Sequence, residues 1–105
     1  MLNAVPPFKS VKQSLNLPDG SHIVVCEVDD VFRQIPQAEY ARNLFRIDAS
    51  GQVLWRVPLA RESYPHCFLD VRQDDEGRLI ASNFDSWDYE VDIDSGRITK
   101  HAFFK

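Results

Sequence analysis

LIASNFDSWDYEVDIDSGRITKHAFF, residues 79–104, carries the clearest structural signal in this chain. From Trp87 onward its residues alternate between apolar and acidic, which is typical of a strand with one buried and one solvent-exposed face. The side chains expected to be buried are Trp87, Tyr89, Val91 and Ile93, and those expected to face solvent are Asp88, Glu90, Asp92 and Asp94. A turn at Asp94–Gly96 and a last strand over Arg97–Phe104 complete a predicted antiparallel hairpin.

The same order of apolar strand, acidic turn, glycine and apolar strand recurs upstream. Asn43–Val57 is a hairpin around Asp48-Ala49-Ser50-Gly51, and strands are expected at Phe68–Gln73 and Leu79–Phe84 around the turn Asp74–Gly77. Earlier still, strands over Phe8–Leu17 and Ser21–Val28 flank Pro18-Asp19-Gly20. Repeated hairpins indicate a meander. We therefore predict an all-β fold of about eight antiparallel strands, as a small sandwich or a curled barrel-like sheet.

The segments between the strands are less regular. Asp29–Arg42 is the longest connection before the repeated hairpins, and long connections often carry function. It is expected to hold at most one short helix, near residues 36–42, because Pro36 suits the first helical position; a long loop is the alternative. Residues 1–7 are expected to be a loose lead-in, because Pro6-Pro7 delays a strand. The length predicts one domain over residues 1–105.

Composition limits the function classes. With 44% hydrophobic and 27% charged residues the chain is typical of a soluble globular protein. Its formal charge of −4 disfavours nucleic acid and anionic membrane as partners and is compatible with a basic protein partner. The N-terminus has no secretory signal pattern and no apolar run approaches the roughly 20 residues that span a bilayer, so we expect a cytoplasmic location. Cys26 and Cys67 are expected to stay reduced.

Several of these motifs resemble those of a group of short, uncharacterised bacterial proteins with Asp-x-x-Gly hairpins. The resemblance rests on Asn43, Asp48-Ala49-Ser50-Gly51, Trp55, Asn83-Phe84-Asp85-Ser86 and Asp92-Ile93-Asp94-Ser95-Gly96-Arg97-Ile98. Ser86 replaces the usual Gly of the group, and Arg97 replaces the usual Lys. The resemblance implies the all-β hairpin fold and no established activity. Some such small β proteins accompany bacterial toxins as immunity proteins, which suggests that role by analogy of size and charge.

Neither metal motif in the chain is complete. Asp92-x-Asp94-x-Gly96 resembles the start of a calcium loop, but its twelfth position is Phe103 instead of a bidentate Glu, so an acidic β-turn is the preferred interpretation. His22, Cys26, His66 and Cys67 lack the paired spacing of a zinc site. We predict no metal and no cofactor.

Cys67 beside His66, with Asp70 nearby, is the candidate for nucleophilic catalysis. Adjacent residues of a strand point to opposite faces, so His66 would be badly placed to activate Cys67 unless Pro65 holds both in a loop. A small-molecule-binding or hydrolytic enzyme using Cys67 and His66, with the Asp29–Arg42 connection, is the alternative function.

The preferred function is binding of another protein without catalysis. Phe84 and the flanking Asp85 lie at a predicted turn and are expected to be exposed binding residues. Exposed aromatic side chains near Phe84 would anchor the partner, while Asp88, Glu90 and Asp92 would steer a basic one. An immunity-type neutraliser of a basic toxin is one specific form. An edge strand, Val11–Leu17 or Ile98–Phe104, is a candidate for pairing with its copy in a homodimer.

Overall fold

A computed structural model describes residues 3–103. The chain forms two four-stranded antiparallel meanders, ordered β1-β2-β3-β4 and β5-β6-β7-β8. The elements are β1 Val11–Asn16, β2 His22–Cys26, α1 Gln37–Tyr40, β3 Leu44–Ile47, β4 Val53–Arg56, β5 Phe68–Gln73, β6 Leu79–Asn83, β7 Trp87–Val91 and β8 Ile98–Phe103. The predicted all-β fold of eight antiparallel strands is confirmed. Of the two predicted forms, the described residues adopt the sandwich and form no closed barrel.

The main core lies between the two sheets. Alternate residues of the strands supply it, including Ile23 and Leu44 from the first sheet and Phe68 and Tyr89 from the second. The rings of Phe68 and Tyr89 meet edge to face with centroids 6.0 Å apart. The predicted inward side of β7 is confirmed, since Tyr89 and Val91 belong to this core and Trp87 packs against it. Burial of these apolar faces is the main force that holds the sheets together.

A second core covers the outer face of the first sheet. Val24, Cys26, Phe45 and Ile47 point outward, and the connection after β2 packs over them. Ala4 and Val5, which belong to the expected loose lead-in of residues 1–7, pack against this core, and so does Phe8, which is 4% exposed. The first strand consequently begins at Val11 instead of Phe8, while Met1 and Leu2 lie outside the described residues. The prediction that β2 is covered on both faces is confirmed, and so is the predicted short helix.

The acidic residue of each repeated hairpin closes its own turn. Asp48 accepts hydrogen bonds from the backbone N–H groups of Ser50 and Gln52, both at 2.9 Å. Asp92 does the same for Asp94 and Ser95 at 2.8 and 3.1 Å. The last turn therefore starts at Asp92, earlier than the predicted Asp94–Gly96, and β7 ends at Val91.

The turns that join β1 to β2, β3 to β4, β5 to β6 and β7 to β8 lie at one end of the sandwich, and the connections after β2, β4 and β6 lie at the other. The two meanders are aligned in this way because the side-chain amide of Asn43, just before β3, donates to the carbonyls of Cys26 at the end of β2 and Phe68 at the start of β5. We call the second end the long-connection end. It contains residues 27–43, 57–67 and 84–86.

Phe104, predicted to belong to the last strand, lies outside the described residues. Among residues 3–103, no helix has the length and apolar character needed to cross a membrane.

Candidate functional site

Phe84 is a large apolar side chain held in an exposed position at the long-connection end. It follows β6, and 57% of its surface is exposed. Its backbone N–H donates to the carbonyl of Cys67 at 3.0 Å, and Ser86 closes the turn behind it with φ +75°. The ring stacks on His66 with centroids 5.7 Å apart and an interplanar angle of 26°. The ring is therefore fixed on one side and open to solvent on the other.

A small recess of about 150 Å³ lies beside Phe84. Its apolar lining includes Cys26, Cys67 and Leu69, which come from β2, the connection before β5, and β5 itself. Both cysteines are free thiols, and burial raises the pKa of each. This part of the lining is thus neutral and apolar at physiological pH.

Three charged residues also line the recess: Lys12, Glu27 and Asp29. The Glu27 carboxylate accepts hydrogen bonds from the backbone N–H groups of Val28 and Asp29, at 3.0 and 3.2 Å, so this charge is held in place. Two carboxylates against one ammonium give the recess a net negative charge.

Asp85 supports the turn that carries Phe84. Its carboxylate accepts from the backbone N–H of Trp87 at 2.9 Å and from the hydroxyl of Tyr89 at 2.6 Å. Burial, and then this hydrogen bond, raises the pKa of Tyr89. Asp85 is partly buried and internally bonded, so it positions Phe84 and offers little free charge to a partner.

The expected solvent exposure of Asp88 is wrong. Its side chain is on the outer face of the second sheet but only 7% of the residue is exposed. Arg72 of β5 reaches across β6 to its carboxylate at 2.9 Å, and the Ser82 hydroxyl donates to it at 2.7 Å. Burial raises the pKa of Asp88, but the bonds from Ser82 and Arg72 outweigh this effect and the pKa lies below its usual range.

The five predicted binding residues do not form one surface. Phe84 and Asp85 precede β7 at the long-connection end, whereas Asp92 follows β7 at the opposite end, where its carboxylate closes a turn. Glu90 lies between them and is half-buried, opposite Ile80.

The metal and catalytic candidates are brought together only in part, because Cys26 and Cys67 line the same recess while His22 does not. His22 lies four residues from Cys26 on β2, with its Nδ1 atom 2.7 Å from the Asn16 side-chain oxygen. His66 and Cys67 do lie in a connection before β5, but the His66 ring stacks on Phe84 and the pKa of Cys67 is raised. Among the described residues there is no group of three or more His, Cys, Asp or Glu side chains that could hold a metal ion.

A larger groove, of about 850 Å³, runs along β1 and the N-terminal segment. Its lining is mixed, with the polar Lys9, Ser14 and Asn16 beside the small apolar Ala4 and Val11, and it contains no Phe, Tyr or Trp and no carboxylate. Because it lacks a large apolar anchor, it is a weaker docking candidate than the recess beside Phe84 despite its size.

Sequence reasoning missed two features of the long-connection end. Tyr64, two residues before His66, is 76% exposed with φ +52°. A large aromatic residue inside an otherwise polar connection was the signal that could have identified it. Lys12, Glu27 and Leu69 carried no such signal, because only the packing of the sheets brings them to the recess.

Comparison with known proteins places this chain in a family. No curated protein and no solved structure matches the chain significantly. A family model does match residues 9–103, a range that includes every strand and the whole of the recess lining. The chain therefore belongs to the family described as "Domain of unknown function (DUF7957)".

Proposed function

We propose that this chain is a non-enzymatic protein-binding domain that docks its partner at the long-connection end. The observation that carries the proposal is Phe84, which is 57% exposed yet fixed by the His66 stack and by the turn through Ser86. Exposed aromatic side chains are enriched at protein interfaces. A ring that is already ordered loses little conformational entropy when a partner covers it.

The size of the recess favours a protein partner over a free small molecule. Pockets for small molecules usually enclose about 300–1,000 Å³. The recess beside Phe84 encloses about 150 Å³, which suits one inserted side chain. Its lining of Cys26, Cys67 and Leu69 favours an apolar one.

The charges at the recess favour a basic group next to that inserted side chain. Glu27 and Asp29 outnumber Lys12, and the whole chain carries a formal charge of −4. Opposite charges at the rim of an interface mainly raise the association rate and select the partner. One specific form of this function is neutralisation of a basic toxin by covering its active surface, as in an immunity protein.

The alternative enzymatic function has weaker support. A nucleophilic thiol needs a lowered pKa and an adjacent base. Burial raises the pKa of Cys67, and His66 is engaged with Phe84.

Capture of partners from the source organism's lysate tests the proposal. The native chain is compared with Phe84→Ser and with Leu54→Ser, a control that removes another exposed apolar side chain, 50% exposed on β4. We expect one protein that the native chain and Leu54→Ser capture and Phe84→Ser does not. That protein must then bind the purified native chain directly. Equal capture by all three chains, with equal thermal stability, would contradict the proposal.

A further inference from the structure

The outer edge of β8 is an open strand edge. Five of its six residues are exposed. Within residues 3–103, its backbone N–H and C=O groups bond only to β7. A strand of this length with a free edge can accept another strand through main-chain hydrogen bonds.

The opposite edge of the same sheet is closed by side chains. The Asn43 amide bonds to both backbone groups of Phe68, at 2.9 and 2.8 Å. The Gln13 amide does the same for Val71, at 2.5 and 2.9 Å. These two amides take the place of a neighbouring strand along β5. The second sheet therefore has one satisfied edge and one free edge.

The charge of β8 differs in sign from that of the whole chain. Residues 97–103 contain Arg97, Lys100 and His101 and no acidic residue, while the chain carries −4. A second copy of β8 would bring like charges together along the shared edge, whereas an acidic segment would be attracted.

One face of β8 also offers an apolar contact. Phe103 is 58% exposed, and its ring meets that of Trp87 edge to face with centroids 5.3 Å apart. The Lys100 ammonium lies 4.6 Å from the centroid of the same Trp87 ring. An added strand could therefore contact the apolar Phe103 ring and the positive charge of Lys100 on one face of the sheet, at neighbouring positions.

We propose that β8 is the docking edge for an extended, acidic segment of a partner protein, which adds to the second sheet as a fifth strand. This surface is separate from the recess beside Phe84, so the proposal does not depend on the function proposed above.

Two capped hexapeptides test it, one alternating Asp with Val and one alternating Lys with Val. The full chain, labelled with ¹⁵N, is titrated with each to millimolar concentration, the range expected for a single short strand. We expect the acidic peptide to shift the amide signals of residues 97–103 and the Trp87 indole signal, and to slow hydrogen exchange in β8. The basic peptide should cause neither effect.

Charge-reversal variants supply the control. Lys100→Glu should weaken binding of the acidic peptide by about fivefold, in line with an exposed charge contact, while Lys9→Glu, at an exposed position before β1, should leave it unchanged. Equal binding of the two peptides, shifts elsewhere, an equal loss with Lys9→Glu, or no binding at all would overturn the proposal. Dimers seen by sedimentation, together with slow hydrogen exchange of the β8 amides in the absence of peptide, would also overturn the proposal. A second copy of the chain would then occupy the edge.

Discussion

The side-chain amide of Asn43 pairs with both backbone polar groups of Phe68, donating to the carbonyl at 2.9 Å and accepting from the N–H at 2.8 Å. The same amide donates to the carbonyl of Cys26 at 2.9 Å. One buried side chain, 1% exposed, thus connects β2 to β5 and holds the two sheets in register at the end where the recess forms.

Asn43→Ala should therefore destabilise the fold strongly. It leaves buried backbone groups of Phe68 and Cys26 without partners, and we expect a loss of about 3 kcal/mol in the free energy of unfolding. Gln13→Ala, at the partly buried equivalent contact with Val71, should cost about 1 kcal/mol. Urea denaturation measures both. Equal losses for the two variants would show that Asn43 has no special role.

Gly96 should not tolerate a side chain. Its φ is +77°, and a Cβ atom would lie 2.6 Å from two ring atoms of Trp55. Gly96→Ala combines left-handed backbone strain with overpacking and should cost about 2–4 kcal/mol. Gly77→Ala is the matched control, because φ is +80° there and the space is open, so it should cost about 1 kcal/mol. Thermal unfolding of both variants measures the difference. Similar unfolding temperatures for Gly96→Ala and Gly77→Ala would contradict the close contact between Gly96 and Trp55.

Asp88 should stabilise the fold above acidic pH. Its pKa in the folded state is lowered below the usual value of about 3.9 in an unfolded chain, so its contribution is fully present above roughly pH 4. The contribution is lost as pH falls through the lower, folded-state pKa. Urea unfolding from pH 2 to 6 should show a steeper acid loss of stability for the native chain than for Asp88→Asn. If the free energy of unfolding fell equally with pH in the two chains, the bonds from Arg72 and Ser82 would not favour the ionised form of Asp88.

Cys67 should react slowly with alkylating reagents. Burial raises its pKa, and the thiolate is the reactive species. With iodoacetamide near neutral pH, we expect a rate at least about tenfold below that of free cysteine, rising with pH. Cys26, which is 0% exposed, should react only after unfolding. Mass spectrometry of the modified chain follows both sites. Reaction of Cys67 faster than free cysteine would favour the enzymatic alternative.

The strands could be predicted because local patterns determine them. Alternation from Trp87 to Val91 and the Asp-and-glycine turn at Asp48–Gly51 depend only on neighbours in sequence. The exposure of Asp88 could not be predicted in the same way. Alternation assigns a residue to a face, but the Arg72 and Ser82 side chains that cover Asp88 come from two other strands.

The candidate site was predicted only in part. Phe84 was identified because an aromatic residue at a turn is expected to be exposed. The recess beside it depends on Cys26, Cys67 and Leu69 meeting at one end of the sandwich, which requires the order and packing of the sheets. Asn43 belongs to one of the hairpin motifs, but its bonds to a strand 25 residues away leave no local pattern.

The most direct test of the central claim is the affinity of the captured partner for the purified native chain, Phe84→Ala and Leu54→Ala, measured by calorimetry. If Phe84 anchors the partner, Phe84→Ala should weaken binding by about 30-fold or more, as expected for a residue worth at least 2 kcal/mol, with Leu54→Ala close to native. An affinity for Phe84→Ala within about twofold of native would contradict binding at the long-connection end.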